Sequence, residues 1–502
     1  MSNKLFNSVK MSKPKRNAFD LSHEKKLSLN MGDLVPIYLQ EVLPGDKFRV
    51  NTEMLMRFAP LVSPVMHRIN VYTHFFHVPY RLLYDGWETF ITGGTDGKQT
   101  VPFPTVGVDE GNKLEHGIGS LSDYFGVPVP KDIIAKQLVL SALPYRAYQL
   151  VYNEYYRDQT LTPPVPVTKD NVMQATEYAE VLKIRKRSWE KDYFSSALPW
   201  AQRGGEVELP ADVTYKAQSS VRDGGGGPAT GILESVGGFL QAPNGTGAFI
   251  DNVDSLGVTI NDLRRSVRLQ EWLEKNARGG ARYIEQILSH FGVKSSNQLL
   301  QRPQFLGGGK SPVVISEVLS TFNNETVPGA NMYGHGITAG NTHQFSRYFE
   351  EHGFIIGIMS VLPRTAYQQG VPKIFKKFDK FDYAWPEFAH LGEQEIFNWE
   401  LYQDYTDTDD TKNNATFGYQ SRYSEYKFNQ SSVHGNMRDT LDFWHLGRKF
   451  LNAPALNAAF VQADPDTRIF AVEDPAEHHL YCQLYHNIQA IRPLPVYGTP
   501  ML

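Results

Sequence analysis

"LVPIYLQEVLPGDKFRVN", residues Leu34 to Asn51, is the stretch of this 502-residue chain that decides its fold. Two short apolar segments flank Pro44-Gly45-Asp46, a combination typical of a tight turn between strands. The next stretch, "RINVYTHFFHVPY" from Arg68 to Tyr80, is rich in the β-branched and aromatic residues that strands favour. Residues 33 to 80 therefore predict three strands joined by short turns.

Strand patterns return toward the C-terminus in "SPVVISEVLS", "HGFIIGIMSVLPRTAY" and "HLYCQLYHNIQAIRPLPVY". Within the second of these, Phe354 to Leu362 is apolar enough for a strand that is buried on both faces. Because strands lie at both ends of the chain, we expect the first and last strands to share one sheet system. The middle of the chain then consists of insertions, and the pattern favours an antiparallel sandwich over a βαβ fold.

Two regions have helical spacing instead. "PYRAYQLVYNEYYRD", residues Pro144 to Asp158, has an apolar face at helical spacing and puts Arg146 and Gln149 elsewhere. The residues of that face are Tyr145, Tyr148, Val151, Tyr152 and Tyr155. The second region spans about Asp262 to Phe291, with an interruption at Gly279-Gly280 and a C-terminal cap at Gly292.

A glycine-rich stretch, "RDGGGGPATGILESVGGFLQAPNGTGAF" from Arg222 to Phe249, lies between these helices. Glycine loses the most conformational freedom on ordering, and the stretch has little apolar bulk to offset that loss. It is therefore either a flexible linker or a segment that something outside the chain holds in place.

Composition limits the class of protein. Hydrophobic residues make up 41% and charged residues 21%, as in an ordinary globular protein. The single cysteine, Cys482, excludes an intrachain disulfide and indicates a reducing compartment. The N-terminus lacks the apolar core of a signal peptide, and no apolar run approaches the roughly 20 residues that span a bilayer.

Charge is uneven although the formal net charge is only −4. Residues 1 to 30 form a basic arm. Such an arm either binds a phosphate backbone or is a solvated terminus, and the sequence leaves both open. Its candidate nucleic-acid-binding residues are Lys4, Lys10, Lys13, Lys15, Arg16, Lys25 and Lys26.

No motif predicts an active site, a cofactor site or a metal site. The glycine-rich loops lack the spacing of a phosphate-binding loop. His478, Cys482 and His486 could hold zinc on a helix, but the surrounding sequence predicts a strand, where about 13 Å separates residues four positions apart. We therefore expect no enzyme, no cofactor and no metal.

An aromatic block, "WEKDYFSSALPWAQRG" from Trp189 to Gly204, combines aromatic, proline and charged residues in irregular order. This composition suits a surface that contacts another subunit, with a small local core as the alternative. The candidate interface residues are Trp189, Tyr193, Phe194 and Trp200.

The same block, together with "FDLSHEKKLSLNMGDLVPIYLQEVLPGDKFRVN" and "EMLMRFAPLVSPVMHRINVYTHFFHVPYRLLYDGWETFITGG", resembles the major capsid proteins of gokushoviruses. These are small microviruses of bacteria with circular single-stranded DNA. The resemblance covers most of residues 14 to 205 and resumes at residues 349 to 375 and in the C-terminal segment.

The resemblance implies an eight-stranded antiparallel jelly roll with long, helix-containing insertions, in one domain of residues 31–502 that follows the arm. It also implies assembly through pentamers into a T=1 icosahedral virion, formed in the bacterial cytoplasm without membrane insertion. Implied partners are the packaged DNA, a small basic DNA-binding protein, internal scaffolding and pilot proteins, and a host receptor, with carbohydrate as one candidate.

The resemblance further implies that residues 205–260 form a surface protrusion at the three-fold axes, used in host attachment. Three copies meeting there would bury the apolar residues of the glycine-rich stretch. Those residues are Ile232, Leu233, Val236, Phe239, Leu240 and Phe249. The alternative function is a carbohydrate-binding, lectin-like β-sandwich, because exposed aromatic residues also suit sugar faces.

Overall fold

The computed structural model describes residues 15–205, 207, 260–280, 282–319, 332–341, 344–472, 474 and 477–497, and the backbone of six short strands between residues 214 and 254. The chain forms two compact units. The larger unit comprises the described residues up to Pro199 and from Arg282 onward, and the smaller unit comprises those from Trp200 to Ala281.

The protein is mainly β, as predicted. In chain order its strands are β1 (Asn17–Asp20), β2 (His23–Leu29), β3 (Val35–Val42), β4 (Lys47–Phe58), β5 (Ile69–Pro79), β6 (Thr105–Val108), β7 (Leu138–Ser141), β8 (Thr214–Tyr215), β9 (Val221–Arg222), β10 (Glu234–Val236), β11 (Phe239–Gln241), β12 (Phe249–Ile250), β13 (Val253–Asp254), β14 (Gln304–Pro312), β15 (Val314–Leu319), β16 (Met332–Asn341), β17 (Phe345–Tyr348), β18 (Gly353–Pro363), β19 (Glu393–Phe397), β20 (Thr416–Ser421) and β21 (Leu480–Arg492).

Two antiparallel sheets organise the larger unit. The first has seven strands in the order β1-β21-β4-β16-β15, with β2 also paired to β21 and β17 also paired to β4. The second has four strands in the order β14-β5-β18-β3. Strands from both ends of the chain therefore pair directly, which confirms that prediction. The three strands predicted within residues 33 to 80 are β3, β4 and β5.

The main core lies between the inner faces of these two sheets. Alternate residues of β21 are buried, as expected for a strand with one face on a core. Leu484 and Ile488 of that strand join Phe75 and Met359 of the four-stranded sheet in one hydrophobic cluster. The alternation leaves the opposite face of β21 exposed to solvent.

Strand β18 is buried on both faces, as its sequence predicted. Ile355 faces the core between the sheets, whereas Ile356 and Ile358 join a second cluster with Tyr145 and Tyr148 of a helix. The four-stranded sheet is therefore a middle layer between the seven-stranded sheet and a layer made largely of insertions.

Those insertions and the smaller unit contain the helices. They are α1 (Trp87–Thr92), α2 (Leu121–Phe125), α3 (Leu143–Val151), α4 (Ala175–Val181), α5 (Ile260–Gly279), α6 (Tyr283–Phe291), α7 (Asn398–Leu401) and α8 (Ala458–Val461). A π-helical turn, Tyr152–Tyr156, continues α3. The predicted break separates α5 from α6, and Gly292 caps α6 with a left-handed φ of 67°, so both predictions are confirmed.

The turn at Pro44-Gly45-Asp46 is also confirmed, with Gly45 at a φ of 94°. The buried Asp46 carboxylate accepts a hydrogen bond from the backbone N–H of Leu43 and forms an ion pair with Arg492 at 2.9 Å. This pair ties the turn between β3 and β4, which connects the two sheets, to the end of β21.

Candidate interaction surfaces

The basic arm meets the seven-stranded sheet through β1 and β2. Lys15 and Arg16 are exposed, and the Arg16 guanidinium lies 5.3 Å from the ring centroid of Tyr348. Lys26 is exposed and pairs with Glu24 at 3.2 Å. The other predicted arm residues, Lys4, Lys10 and Lys13, lie outside the described residues.

Lys25 differs from the rest of the arm. Its ammonium donates hydrogen bonds to the backbone carbonyls of Pro36 at 3.0 Å and Tyr124 at 2.5 Å. Burial lowers its pKa to about 8. Lys25 therefore fastens β2 to neighbouring segments of its own chain, and its charge contributes little to an exposed basic surface.

The aromatic block is packed largely inside the chain. Phe194 is fully buried, with its ring edge-to-face against Tyr367 at 4.9 Å between centroids. Tyr193 is buried beside it and donates a hydrogen bond to Glu400 at 2.9 Å. Trp189 is buried in a separate small cluster. These contacts favour the local-core alternative for the three side chains.

Trp200 has a different setting. It is half-buried in the smaller unit, where the Arg203 guanidinium lies 5.8 Å from its ring. Contact of this block with a second subunit stays a prediction.

The predicted protrusion residues are only partly within the described chain. Ile232 and Leu233 lie outside the described residues. The backbones of Val236 and Phe239 pair across the β10–β11 hairpin, next to Leu240, and Phe249 lies in β12, which pairs with β9. Their meeting at a three-fold axis stays a prediction.

Three residues near the C-terminus, His478, Cys482 and His486, contribute to the packing and hydrogen bonding of the seven-stranded sheet. Cys482 and His486 both point into the core of the sandwich from β21, and burial raises the pKa of the Cys482 thiol to about 12. His478 precedes the strand and bonds to the Ser28 hydroxyl at 2.8 Å. Among the described residues, no three His, Cys, Asp or Glu side chains are grouped to hold a metal ion.

No helix of the described chain is long and apolar enough to cross a membrane.

We expect His486 to make stability sensitive to acid. Its fully buried ring bonds to the Thr52 hydroxyl at 2.8 Å and the Ile37 carbonyl at 3.2 Å, and lies 5.1 Å from the His23 ring. Burial lowers its pKa to about 4, from an ordinary 6.5. The folded chain therefore binds this proton less readily than the unfolded chain, so stability is complete above pH 6.5 and falls toward pH 4.

Urea unfolding of the single chain at pH 7 and pH 5 tests this. Each pH unit between the two pKa values is worth about 1.4 kcal/mol. The wild type should lose about 2 kcal/mol more than His486→Gln between the two pH values. The glutamine variant is a suitable reference because it keeps an acceptor and a donor at this site. Equal losses in both proteins would contradict the assignment.

The sequence patterns missed one buried ion pair. Arg146 of α3 and Glu177 of α4 are both fully buried, and the Arg146 Nε donates to Glu177 at 2.8 Å. Arg146 also donates to the backbone carbonyls of Leu83 and Asp170, each at 2.9 Å. The Thr168 hydroxyl donates to the same carboxylate at 2.6 Å. The pair therefore joins four separate segments of the insertion that covers the four-stranded sheet.

Comparison with known proteins gives this architecture its context. Residues 7–502 match the family described as "Capsid protein (F protein)". The chain belongs to this capsid protein family. It is 35% identical to capsid protein VP1 of Chlamydia phage 1, over 99% of this chain and 97% of that protein. Identity is also 35% to capsid protein VP1 of Bdellovibrio phage phiMH2K, over 97% and 95%.

A third relative, capsid protein VP1 of Spiroplasma virus 4, is 29% identical over 97% of this chain and 95% of that protein. All three phages are gokushoviruses, the group that the sequence resemblance predicted. This capsid protein is therefore a structural component of the virion and not an enzyme. Copies of it assemble into the shell.

Proposed function

We propose that the chain forms a T=1 icosahedral shell, through pentamers, around circular single-stranded DNA. The observation that carries the proposal is the match to a capsid protein family over residues 7–502. Relatives that are matched over at least 95% of their length support it, because the similarity extends over nearly the whole span of those capsid proteins.

The proposal includes an eight-stranded jelly roll. Its support is the order of neighbouring strands, β2-β21-β4-β16 in one sheet and β3-β18-β5-β14 in the other. In this arrangement successive strands alternate between two packed sheets, except that β5 and β14 pair within one sheet, and this pattern fits a double Greek-key sandwich. The jelly roll would belong to one domain of residues 31–502, preceded by the arm of residues 1–30.

The glycine-rich insertion, residues 205–260, would form the protrusion at the three-fold axes. Its support is that these residues fall within the smaller unit, Trp200–Ala281. Deletion of residues 225 to 247 should leave shell assembly intact and abolish attachment to host cells. Counting particles by electron microscopy and measuring adsorption to cells tests both parts, and a deletion that prevented assembly would contradict a purely exposed role.

The arm would contact the packaged DNA or a small basic DNA-binding protein inside the shell. Arg16 and Lys15 support this role because they are exposed where the arm enters the sheet. Replacing Lys13, Lys15 and Arg16 by glutamine should reduce the salt dependence of single-stranded DNA binding. The logarithmic slope should fall by about 0.7 for each lost phosphate contact.

Fluorescence anisotropy with a labelled oligonucleotide at several salt concentrations measures that slope. The matched control replaces Lys98, Lys131 and Lys136, three exposed lysines outside the arm, and removes the same charge. If the two triple variants gave equal slopes, the arm would make no specific contribution to DNA binding and would be a solvated terminus.

The remaining partners follow from the proposed virion. They are internal scaffolding and pilot proteins and a host receptor, with surface carbohydrate as one candidate, and assembly would take place in the host cytoplasm. No cofactor is part of the proposal.

Sedimentation of the purified chain, with electron microscopy of the same fractions, tests the central proposal. Closed shells of uniform size are the expected result, and pentamers alone would indicate a need for scaffolding protein. A stable monomer or dimer that bound sugar would overturn the shell proposal in favour of a lectin.

A further inference from the structure

One irregular segment of the larger unit exposes an unusual amount of apolar surface. Residues 373–391, here called the aromatic segment, contain three short 3₁₀ turns at Lys373–Lys376, Lys380–Asp382 and Pro386–Phe388. Seven large apolar residues of the segment are between 46% and 87% exposed. They are Ile374, Phe375, Phe378, Phe381, Tyr383, Trp385 and Leu391.

Hydrogen bonds within the segment order its backbone and one of its exposed rings, that of Trp385. The Asp382 carboxylate accepts hydrogen bonds from the backbone N–H groups of Phe378 and Asp379, both at 2.8 Å. The Trp385 indole N–H donates to the Lys380 carbonyl at 2.8 Å. A surface that is already ordered loses little conformational entropy on binding, so this segment is prepared for contact with a partner.

Charge argues against DNA as that partner. Four lysines of the segment are opposed by two aspartates and one glutamate, which leaves a formal excess of one positive charge. Lys373 lies 3.5 Å from Glu400, and Lys377 lies 3.6 Å from Glu425. Lys377 also donates to the Tyr426 hydroxyl at 2.8 Å. Because the chain's own carboxylates compensate these lysines, phosphate would gain little here.

The exposed area matches a protein interface instead. At about 200 Å² per large side chain, the seven residues together expose roughly 900 Å². That is about the area that one partner contributes to a standard protein–protein interface. Aromatic residues are also the type enriched at interface centres.

We propose that the aromatic segment is a contact between neighbouring copies of this chain in the shell. The inference rests on the proposed shell, in which each chain buries several patches against identical neighbours. It adds the location of one such contact, with Phe378 and Trp385 as buried anchors in the assembled particle.

Site-specific photocrosslinking tests the contact. Benzoylphenylalanine replaces Phe378 in the full chain, which is produced together with the other structural proteins of the phage, and particles are irradiated after sedimentation. Covalent chain dimers are expected, and mass spectrometry identifies the partner residue. The matched control carries the probe at Tyr405, which is 90% exposed in an acidic loop and should yield few dimers.

Substitution gives a second readout. Phe378→Ser with Trp385→Ser should keep the melting temperature of the single chain and reduce the yield of closed shells at least tenfold. Phe378→Tyr should assemble normally.

Any one of three results would overturn the inference that the aromatic segment is a contact between copies of this chain. They are normal assembly of the double serine variant, crosslinks to DNA only, and equal dimer yields from Phe378 and Tyr405. In all three, closed wild-type shells would leave the proposed function intact, whereas wild-type chains that remain monomeric would overturn both proposals.

Discussion

Replacing Glu177 by alanine is expected to destabilise the single chain by about 3–5 kcal/mol, because it leaves the buried Arg146 guanidinium without its counter-charge. Neither side chain has any solvent exposure, so water cannot compensate the lost partner. A chain of this kind has a total stability of about 5–15 kcal/mol, so most of the variant should be recovered as aggregate.

Urea unfolding of whatever remains soluble measures the loss. Lys183→Ala is the matched control. It removes an ion pair between Lys183, which follows α4, and Glu180 within α4, but the Lys183 side chain is 56% exposed. Exposed pairs contribute about 0–1 kcal/mol, so the control should unfold near the wild-type midpoint. Similar losses in both variants would show that the burial of the Arg146 pair has no energetic consequence.

Phe194→Ala is expected to cost about 3–5 kcal/mol of stability in the single chain, before any assembly. The Phe194 ring packs against Tyr193, Tyr367 and Phe417 at centroid distances of 5.1, 4.9 and 6.0 Å. Its removal leaves a cavity that these rings cannot fill without leaving their own contacts.

This experiment also separates the two interpretations of the aromatic block. A core residue lowers the melting temperature of the unassembled chain, whereas an interface residue leaves it unchanged and reduces assembly. Tyr405→Ala, at a 90% exposed position, is the control and should change stability by less than about 0.5 kcal/mol. A stable Phe194→Ala chain that fails to assemble would restore the interface interpretation.

The strands were predictable because the pattern of apolar residues in each strand reflects how many of its faces are buried. In β4 and β21 the alternation of apolar and polar residues follows from a sheet with one buried face, and in β18 the continuous apolar run follows from two buried faces. The turn at Gly45 and the cap at Gly292 were predictable for the same local reason, since both need a left-handed backbone conformation.

Burial of polar residues was not predictable from spacing. Helical periodicity put Arg146 and Gln149 away from the apolar face of α3, yet both are fully buried. Their partners lie in α4, 31 and 32 positions further along the chain: Arg146 donates to Glu177, and Gln149 donates to the Val181 carbonyl at 3.0 Å. Only the tertiary fold brings these groups together, so no local pattern could have predicted the pairing.

The candidate interaction surfaces also differ in how much of them the sequence could predict. Sequence composition marked residues 189–204 as aromatic, but it could not distinguish rings that pack on their own chain from rings that pack on another. The aromatic segment was not predicted as a surface, because residues 373–391 follow neither a helical nor a strand period. Exposure, which identifies it, is a property of the folded chain.

The position of β21 between β2 and β4 has a consequence for synthesis on the ribosome. Residues 17–29 pair only with β21 among the described strands, and contacts such as that of Ser28 with His478 join residues 450 positions apart. The largest sheet therefore closes only after β21 has been synthesised, and such non-local pairing is slow. A chain truncated before Leu480 would keep β4 as an open edge. Only chains that contain β21 can therefore present a finished sandwich to a growing particle.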